Sequence, residues 1–342
     1  MVIVNCELKK SQVKNKKKQV FKNHLSIINH QLYNMKTLFC IGELLIDWIS
    51  TDIDSSLVES VNFIKKAGGA PANAAISCNR LGGKSAFAGK IGNDAFGLFL
   101  KEILVKDNID TENLILAKEP TTFAYVSIKK GGDRDFIFMR GADELLKFEE
   151  MNLPQENAVF HFGSATGFLG GDLTDTYFKT LDYALEKGFF ISFDPNFRDA
   201  LWENSEKFIE LSKNFISKSD LIKLSDEEAK LISGTEDLQE AIESFDVKKN
   251  AIVSVTLGKN GTLLYYQGKF EIVPSISIEA IDTTGAGDAF IGAVLKQICD
   301  KTPENFDEVK NYVSFANKVA AISTTKFGAI EAMPTLEQIS KI

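Results

Sequence analysis

From residue 38 onward, short apolar runs alternate with segments whose apolar residues recur at helical spacing, and few folds accept that alternation. Repeated strand–helix–strand units build a mainly parallel sheet with helices on both faces. The first strand is Leu38-Phe39-Cys40-Ile41. Ala74, Ala75, Cys78 and Leu81 follow Pro71 at helical spacing, and Gly82 supplies the stop. Lys84–Ile91 predicts a strand, followed by a helix with Phe96, Phe99, Leu100, Ile103 and Leu104 on one face. Strands over Ala158–Phe162, Phe189–Phe193 and Asp220–Leu224 are separated by helices over Leu173–Leu185 and Phe208–Phe215. Strand Ala251–Thr256 leads into a meander through Gly261, Gly268 and Pro274. Two apolar helices, over 288–299 and 307–324, close the pattern.

Four segments break this rhythm: Leu44–Ser50, Ser60–Lys66, Thr121–Lys130 and Arg134–Arg140 read as strands without helices between them. Gly131-Gly132-Asp133 predicts the turn of a hairpin joining the last two. Phe123, Tyr125, Phe136 and Phe138 recur every second residue and are expected to share one face, with Ala124, Val126, Ile128, Ile137 and Met139 on the other. A small sheet apolar on both faces must bury both, one against a ligand and the other against a second subunit. The strands over 44–66 and 121–140 are therefore read as a lid over an active site and as a surface for a homodimer. Edge strands of the main sheet are the alternative.

The rest of the composition narrows the chemistry. The three histidines are His24, His30 and His161, too few and too scattered for a Ser-His-Asp hydrolase or a His-ligated metal enzyme. Acid–base work then falls to carboxylates. Residues 1–34 hold seven lysines against Glu7 alone, so this segment carries +6 and the remainder −14. An acidic body is a poor nucleic-acid surface. The lysine-rich segment is read as a disordered tail or an upstream translation artefact, with residues 35–342 as a single domain starting at Met35. No apolar run approaches the ~18 residues of a membrane span. Cys6, Cys40, Cys78 and Cys299 form no C-x-x-C pair and read as reduced thiols of a cytoplasmic protein.

Two strings carry the chemistry. The first is Asp282-Thr283-Thr284-Gly285-Ala286-Gly287-Asp288-Ala289-Phe290, a glycine-rich turn that opens an apolar helix. The amides of Gly285, Ala286, Gly287 and Asp288 would converge at a helix N-terminus, where the dipole also favours an anion. Such a nest suits a phosphoryl group and the charge that develops on it. A carboxylate placed there would repel phosphate, so Asp288 makes sense as a base for an incoming hydroxyl; an ordinary Asp N-cap is the plainer reading. The second string is Ala67-Gly68-Gly69-Ala70-Pro71-Ala72-Asn73-Ala74-Ala75. Its glycines would let a ligand approach the backbone, and Asn73 can donate to and accept from sugar hydroxyls; a glycine turn with Pro in the first helical turn would explain Pro71 but not Asn73. Gly82-Gly83-Lys84-Ser85 ends like a P-loop but lacks its earlier glycine and follows a helix, and no G-x-G-x-x-G follows the first strand.

Together these strings resemble the two signature regions of ribokinase-like (PfkB-type) carbohydrate kinases, and the likeness runs from Cys40 to Met333. The resemblance implies a three-layer α/β/α domain with a mainly parallel central sheet and a small β-sheet lid. It also implies ATP and Mg²⁺, with K⁺ as a further ion, and a sugar as substrate. Gly42-Glu43-Leu44-Leu45-Ile46-Asp47 resembles the family's first strand and the start of its lid, where the aspartate grips two sugar hydroxyls. Asp194-Pro195-Asn196-Phe197-Arg198 resembles the segment at the cleft, with Arg198 a contact to substrate or phosphate. Relatives often carry Asn-x-x-Glu where this chain has Ser225-Asp226-Glu227-Glu228. The resemblance therefore assigns Glu228 to Mg²⁺, through water, and gives Ser225 no such role. Lys223, Thr256, Gly258, Lys259, Gly261 and Asn317 fall on the nucleotide side, and Asp282 and Thr284 match positions of a monovalent-cation site.

The look is closest to bacterial and plant fructokinases, which implies fructose as substrate, bound by Asp47, Gly68, Gly69, Asn73, Arg140 and Arg198. Asp288 would take the proton of the 6-hydroxyl while Gly285, Ala286 and Gly287 hold the phosphoryl charge. A 2-keto-3-deoxygluconate kinase, using Arg140 and Arg198 for the acid's carboxylate, is the main rival, with ribokinase behind it. A sugar-binding regulatory protein of the same fold is the non-enzyme alternative.

Overall fold

The computed structural model describes residues 35–128 and 134–341. The readings made for residues 1–34 and for the turn at Gly131-Gly132-Asp133 lie outside the described residues. In chain order the elements are β1 (Thr37–Ile41), β2 (Leu45–Ser50), β3 (Phe63–Gly68), α1 (Ala70–Arg80), β4 (Ser85–Gly92), α2 (Ala95–Lys106), β5 (Leu114–Ala117), β6 (Phe123–Ile128) and β7 (Arg134–Met139). They continue with β8 (Ala158–Gly163), α3 (Asp172–Glu186), β9 (Phe190–Asp194), α4 (Glu206–Lys218), β10 (Leu221–Ser225), α5 (Asp226–Ser233), α6 (Leu238–Ser244) and β11 (Ile252–Thr256). The last are β12 (Thr262–Tyr266), β13 (Lys269–Val273), α7 (Ala286–Asp300), α8 (Phe306–Ser323), α9 (Ala329–Ala332) and α10 (Leu336–Ser340).

The main sheet has the order β13-β12-β11-β10-β9-β8-β1-β4-β5. From β11 to β5 every pairing is parallel, and β12 and β13 add an antiparallel edge. Alternation along each central strand sends its side chains into two cores. In β1, Leu38 and Cys40 enter one core, with helices α1, α2, α7 and α8. Phe39 and Ile41 enter the other, with α3, α4, α5 and α6. That second core is aromatic: Phe168 and Phe215 lie 5.1 Å apart between ring centroids, and Phe193 is equally close to Phe215. The result is the expected three-layer α/β/α arrangement. Among the described residues, no helix is long and apolar enough to cross a membrane.

The four segments that broke the rhythm form their own sheet, in the order β3-β2-β6-β7, and it stands apart from the main sheet as a lid. Its faces differ from the expectation. Ile128 pairs with Arg134, so even-numbered residues stand opposite even-numbered ones: Ala124 faces Phe138 and Val126 faces Phe136. Phe136 and Phe138 therefore share a face with Ala124 and Val126, while Tyr125 lies with Ile137. Asp47 is in register with Ala124, on the inner face. Alternation along each strand was legible; which face of one strand meets which face of the next depends on the pairing register.

One switch point in the topology matters for function. The chain leaves β1 for β4 on one side, and β8 continues to β9 on the other. The crevice at the carboxyl ends of β1 and β8 is where open α/β sheets bind ligands. Across that crevice helices α1 and α7 pack unusually close, because a Cβ at Gly292 of α7 would stand 2.5 Å from Ser77 Cβ and 2.6 Å from the Ala74 carbonyl oxygen of α1. The Ser77 hydroxyl donates to the Ala289 carbonyl across the same contact, at 3.1 Å. Gly292→Val should therefore destabilise the fold by about 2–4 kcal/mol through overpacking. Urea unfolding measures this, and an unchanged midpoint would mean that the two helices can part freely.

Candidate active site

The loop before α7 is built to present a helix N-terminus. Gly285 has φ of +77°, and a Cβ there would lie 2.6 Å from the Ala329 Cβ, so both backbone and space demand glycine. Asp282 braces the loop: its Oδ1 accepts from the Thr284 amide at 2.9 Å and hydroxyl at 2.6 Å, and its Oδ2 accepts from the Gly328 amide at 2.9 Å. The helix begins at Ala286 with Gly285 at the cap position, so Asp288 sits in the first turn and is not an N-cap. The amides of Gly287 and Asp288 have no intrahelical acceptor. That of Ala286 is turned back to the Thr283 carbonyl at 3.2 Å, so the nest is narrower than the sequence implied.

Asp288 itself points across to α1, where its Oδ2 accepts from Asn73 Nδ2 at 2.8 Å. Burial pushes its carboxyl up to about 6, with Asp194 adding to the rise while Asn73, Lys223 and Arg198 oppose it. Asn73 lines the lid cavity, and its other group, Oδ1, is buried without a hydrogen-bond partner. Asp47 on β2 is pushed to about 7 by burial and by the Asp288 charge, against the pull of Arg198. Glu43, 2% exposed, is likewise pushed to about 7 by burial, with Asp143 and Asp288 adding to the rise. Its Oε1 accepts from the Ala70 amide at the start of α1, 3.1 Å away.

Three cavities meet at this terminus. One, of about 330 Å³, lies under the lid between Asp47, Asn73, Phe138, Arg198 and Asp288. A second, of about 470 Å³, lies on the far side of α7 and is lined by Thr256, Gly258, Lys259, Gly261, Gly287 and Asn317. The third, of about 900 Å³, joins them and is lined by Arg198, Lys223, Glu228, Thr284, Gly287 and Asp288. Most of the predicted residues are thus assembled around one helix end.

Some stand differently from what the sequence implied. A Cβ at Gly68 would fall 2.1 Å from Asp47 Oδ2, so that glycine makes room for Asp47, and Gly69, unlike Gly68, is among the residues lining the lid cavity. Arg140 is not among the residues lining any of the three cavities. Its guanidinium pairs with Asp143 at 3.3 Å and Glu144 at 3.8 Å and donates to the Gly170 carbonyl at 3.2 Å. Glu228 accepts from the Phe197 and Ser225 amides, both at 2.7 Å, and Ser225 caps α5 in return. Asn317 donates to the Val273 carbonyl and accepts from Thr262, so its amide shapes the cavity wall. Lys223 lies in the joining cavity, not the far one, paired with Asp194 at 3.1 Å. Asp194, Glu43 and Thr166 belong to this site without having been singled out. Asp194 and Glu43 lay inside the quoted strings at strand ends, the position that would have marked them. Among the described residues, no group of three or more His, Cys, Asp and Glu side chains forms a metal cage.

Residues 35–336 match the model of the pfkB family carbohydrate kinases. The chain is similar to probable fructokinase-2 of Arabidopsis thaliana, 38% identical over 310 residues that span 88% of this chain and 94% of that protein. Among solved structures it resembles fructokinase from Vibrio cholerae in its fructose-, ADP- and calcium-bound form, with a TM-score of 0.81, 28% identity and coverage of 90% and 99% of the two chains. It also resembles an uncharacterized sugar kinase from Pyrococcus horikoshii in complex with ATP, with a TM-score of 0.79, 32% identity and coverage of 89% and 97%.

A raised carboxyl favours the folded state only while it is protonated, so its contribution fades as pH rises from the unfolded value through the folded one. For Asp288 that window runs from about 4 to about 6. The melting temperature of Asp288→Asn minus that of the wild type should accordingly climb with pH across this window and level off above it. A difference that stays flat would mean the carboxyl titrates as it does in water.

Proposed function

The chain belongs to the pfkB family of carbohydrate kinases, and we propose that it transfers the γ-phosphoryl group of ATP to the 6-hydroxyl of fructose. One observation carries the assignment of chemistry: Asp288 stands at the seam between the lid cavity and the joining cavity, with the first-turn amides of α7 beside it. Fructose occupies the lid cavity. Asp47 accepts from two hydroxyls there, Asn73 Oδ1 accepts from another, and Arg198 closes the side toward phosphate. ATP occupies the far cavity along Thr256, Gly258, Lys259, Gly261 and Asn317, and its γ-phosphoryl group reaches the joining cavity beside Lys223. The 6-hydroxyl oxygen attacks the γ-phosphorus, its proton passes to Asp288, and the bond to the β-phosphate oxygen breaks. The free first-turn amides of Gly287 and Asp288 face the charge on the moving group.

Glu228 lines the joining cavity together with Glu227 and Asp288, and a carboxylate there suits Mg²⁺, which keeps most of its water and binds mainly through phosphate. Bound there, the ion would neutralise phosphate charge. Asp282 and Thr284, stitched together before α7, are the residues that would hold K⁺ and steady the loop. A dimer through the lid follows from the second face of that sheet. The outer lid face keeps Ile137 and Met139 about half exposed, at 52% and 55%, while Phe96 of α2 packs on Trp48 and Phe123. A second copy of this chain is the occupant that fits this remainder, and Ile137→Asp should then shift sedimentation from dimer to monomer. A monomeric wild type rejects the dimer.

With Arg140 tied to Asp143, Glu144 and Gly170, the cleft keeps one of the two arginines that a keto-acid substrate would call for. An ADP-release assay with Mg²⁺ and K⁺, run on fructose, 2-keto-3-deoxygluconate, ribose and adenosine, should show the largest kcat/KM on fructose. Preference for the keto-acid would overturn the sugar assignment and leave the base in place. Asp288→Asn should lower kcat by about 10²–10⁴ while fructose still binds. The wild-type kcat/KM should fall as pH drops through about 6 to 7, where Asp288 and Asp47 take up protons.

A further inference from the structure

We propose that Lys223 is a catalytic residue, whose ammonium holds the phosphoryl group during transfer, and that Asp194 is the positioning residue that keeps it there. The inference rests on the kinase reading and deepens it. Strand β10 sends Ile222 and Leu224 into the aromatic core, while Leu221 enters the opposite one. Alternation therefore turns Lys223 toward the side from which α7 arrives. Its Nζ ends under the helix terminus: a Cβ on Gly287 would lie 3.0 Å from it. Glycine at that position lets the ammonium and the first-turn amides share one spot. Lys223 is also missing from the lining of the far cavity, where a lysine serving only the bound nucleotide would be found.

The surroundings fix both its charge and its aim. Asp194 at the end of β9 accepts at 3.1 Å on Oδ2 and 3.3 Å on Oδ1. An ammonium has three N–H donors, so the Asp194 carboxylate orients the group and leaves a donor for the joining cavity. Burial alone would lower the lysine's pKa, but Asp194, Glu228 and Asp288 outweigh it and hold it above the usual value. His161 of β8, the remaining titratable group near it, is pushed down to about 3 by burial and by Lys223 and stays neutral. Arg198 faces the same cavity from the loop after β9.

In the transfer step the new bond joins the sugar oxygen to phosphorus, and the broken bond leaves its electron pair on ADP. The sugar proton goes to Asp288, and Lys223 keeps its own protons throughout. The ammonium sits between the entering and leaving oxygens and lowers the repulsion between Asp288 and the phosphoryl group.

Lys223→Met keeps the side-chain length without the charge. On fructose it should lose about 10²–10³-fold in kcat, as for loss of one preorganised donor, with KM for ATP within about threefold. Its kcat/KM acid limb should move to higher pH, because Lys223 pulls the Asp288 carboxyl down, whereas in Asp194→Asn the limb should move to lower pH, because Asp194 pushes it up. Ethylammonium should restore part of the activity of Lys223→Ala and leave the wild type unchanged. Calorimetric fructose binding checks that each variant is folded, and if Lys223→Met fails to bind, the ethylammonium experiment decides. A kcat within threefold of wild type, a loss confined to KM for ATP, or no rescue overturns the proposal. If the wild type is silent on every sugar, the kinase reading itself falls, which is a different result.

Discussion

The site depends on how closely two helices cross. Where α1 and α7 meet, Gly292 leaves no room for a side chain against Ala74 and Ser77, and this contact sets the distance between Asn73 and Asp288 one turn away. A hydrogen bond of 2.8 Å tolerates little slack, since an added methyl group would separate the helices by more than the bond can follow. The crossing also links elements that are remote in sequence. Helix α1 leaves the lid through Gly68 and Gly69, and α7 leaves the braced loop through Gly285. Lys66 of β3 pairs with Glu331 of α9 at 2.7 Å, and Ala329 of the same short helix packs against Gly285. Lid strand, the Asp288 carboxylate and the first turn of α7 are thus one mechanical unit.

That unit concentrates acid. Glu43, Asp47, Asp194 and Asp288 border one crevice, with Lys223 and Arg198 as the cations facing them. Water is partly excluded, so the carboxyls compete, and three of them rise to between about 6 and 7. Such an arrangement weakens the empty fold at neutral pH. Perturbed acids of this kind are what catalysis requires, because a base works best when its pKa lies near the working pH. Stability is recovered elsewhere, in two packed cores and in braces such as Arg80, which pairs with Asp107 at 2.7 Å and donates to the carbonyls of Ile330 and Met333.

How much of this was legible follows from where each constraint resides. The alternation of strand and helix is a local pattern, and it gave the three layers with ends shifted by a few residues. The string around Asp288 was legible because a glycine turn, a helix start and an acid have chemistry of their own. Gly68 was legible as a necessary glycine, but the atom that excludes a side chain comes from Asp47 on the neighbouring strand, which no local pattern shows. The pairing of Arg140 with Asp143 and Glu144 lies within a few residues, yet it depends on a 3₁₀ turn at Ala142–Leu145 that carries no periodic signal. Glu228 and Asn317 matched positions, but their polar atoms are committed to nearby backbone and side-chain groups that no spacing rule reveals. Lys223 matched a position on the nucleotide side, but its place in the joining cavity depends on the approach of α7, which no local pattern shows.

A carboxylate and an anion-binding nest at the same helix end look incompatible, and the three cavities show how they coexist. Asp288 lines the lid cavity and the joining cavity but not the far one. Ala286 lines the far cavity alone, and Gly287 lines the far and joining cavities. The terminus of α7 therefore works as a partition. Its side-chain charge is turned toward α1 by Asn73, while the Gly287 backbone borders the far cavity. A phosphate arriving from the far side meets amides first, and a hydroxyl arriving from under the lid meets the carboxylate first. On the proposed reading the two ligands meet in the joining cavity, beside Lys223. Separation by direction, and not by distance, lets one turn of helix hold both the base and the group it must not repel.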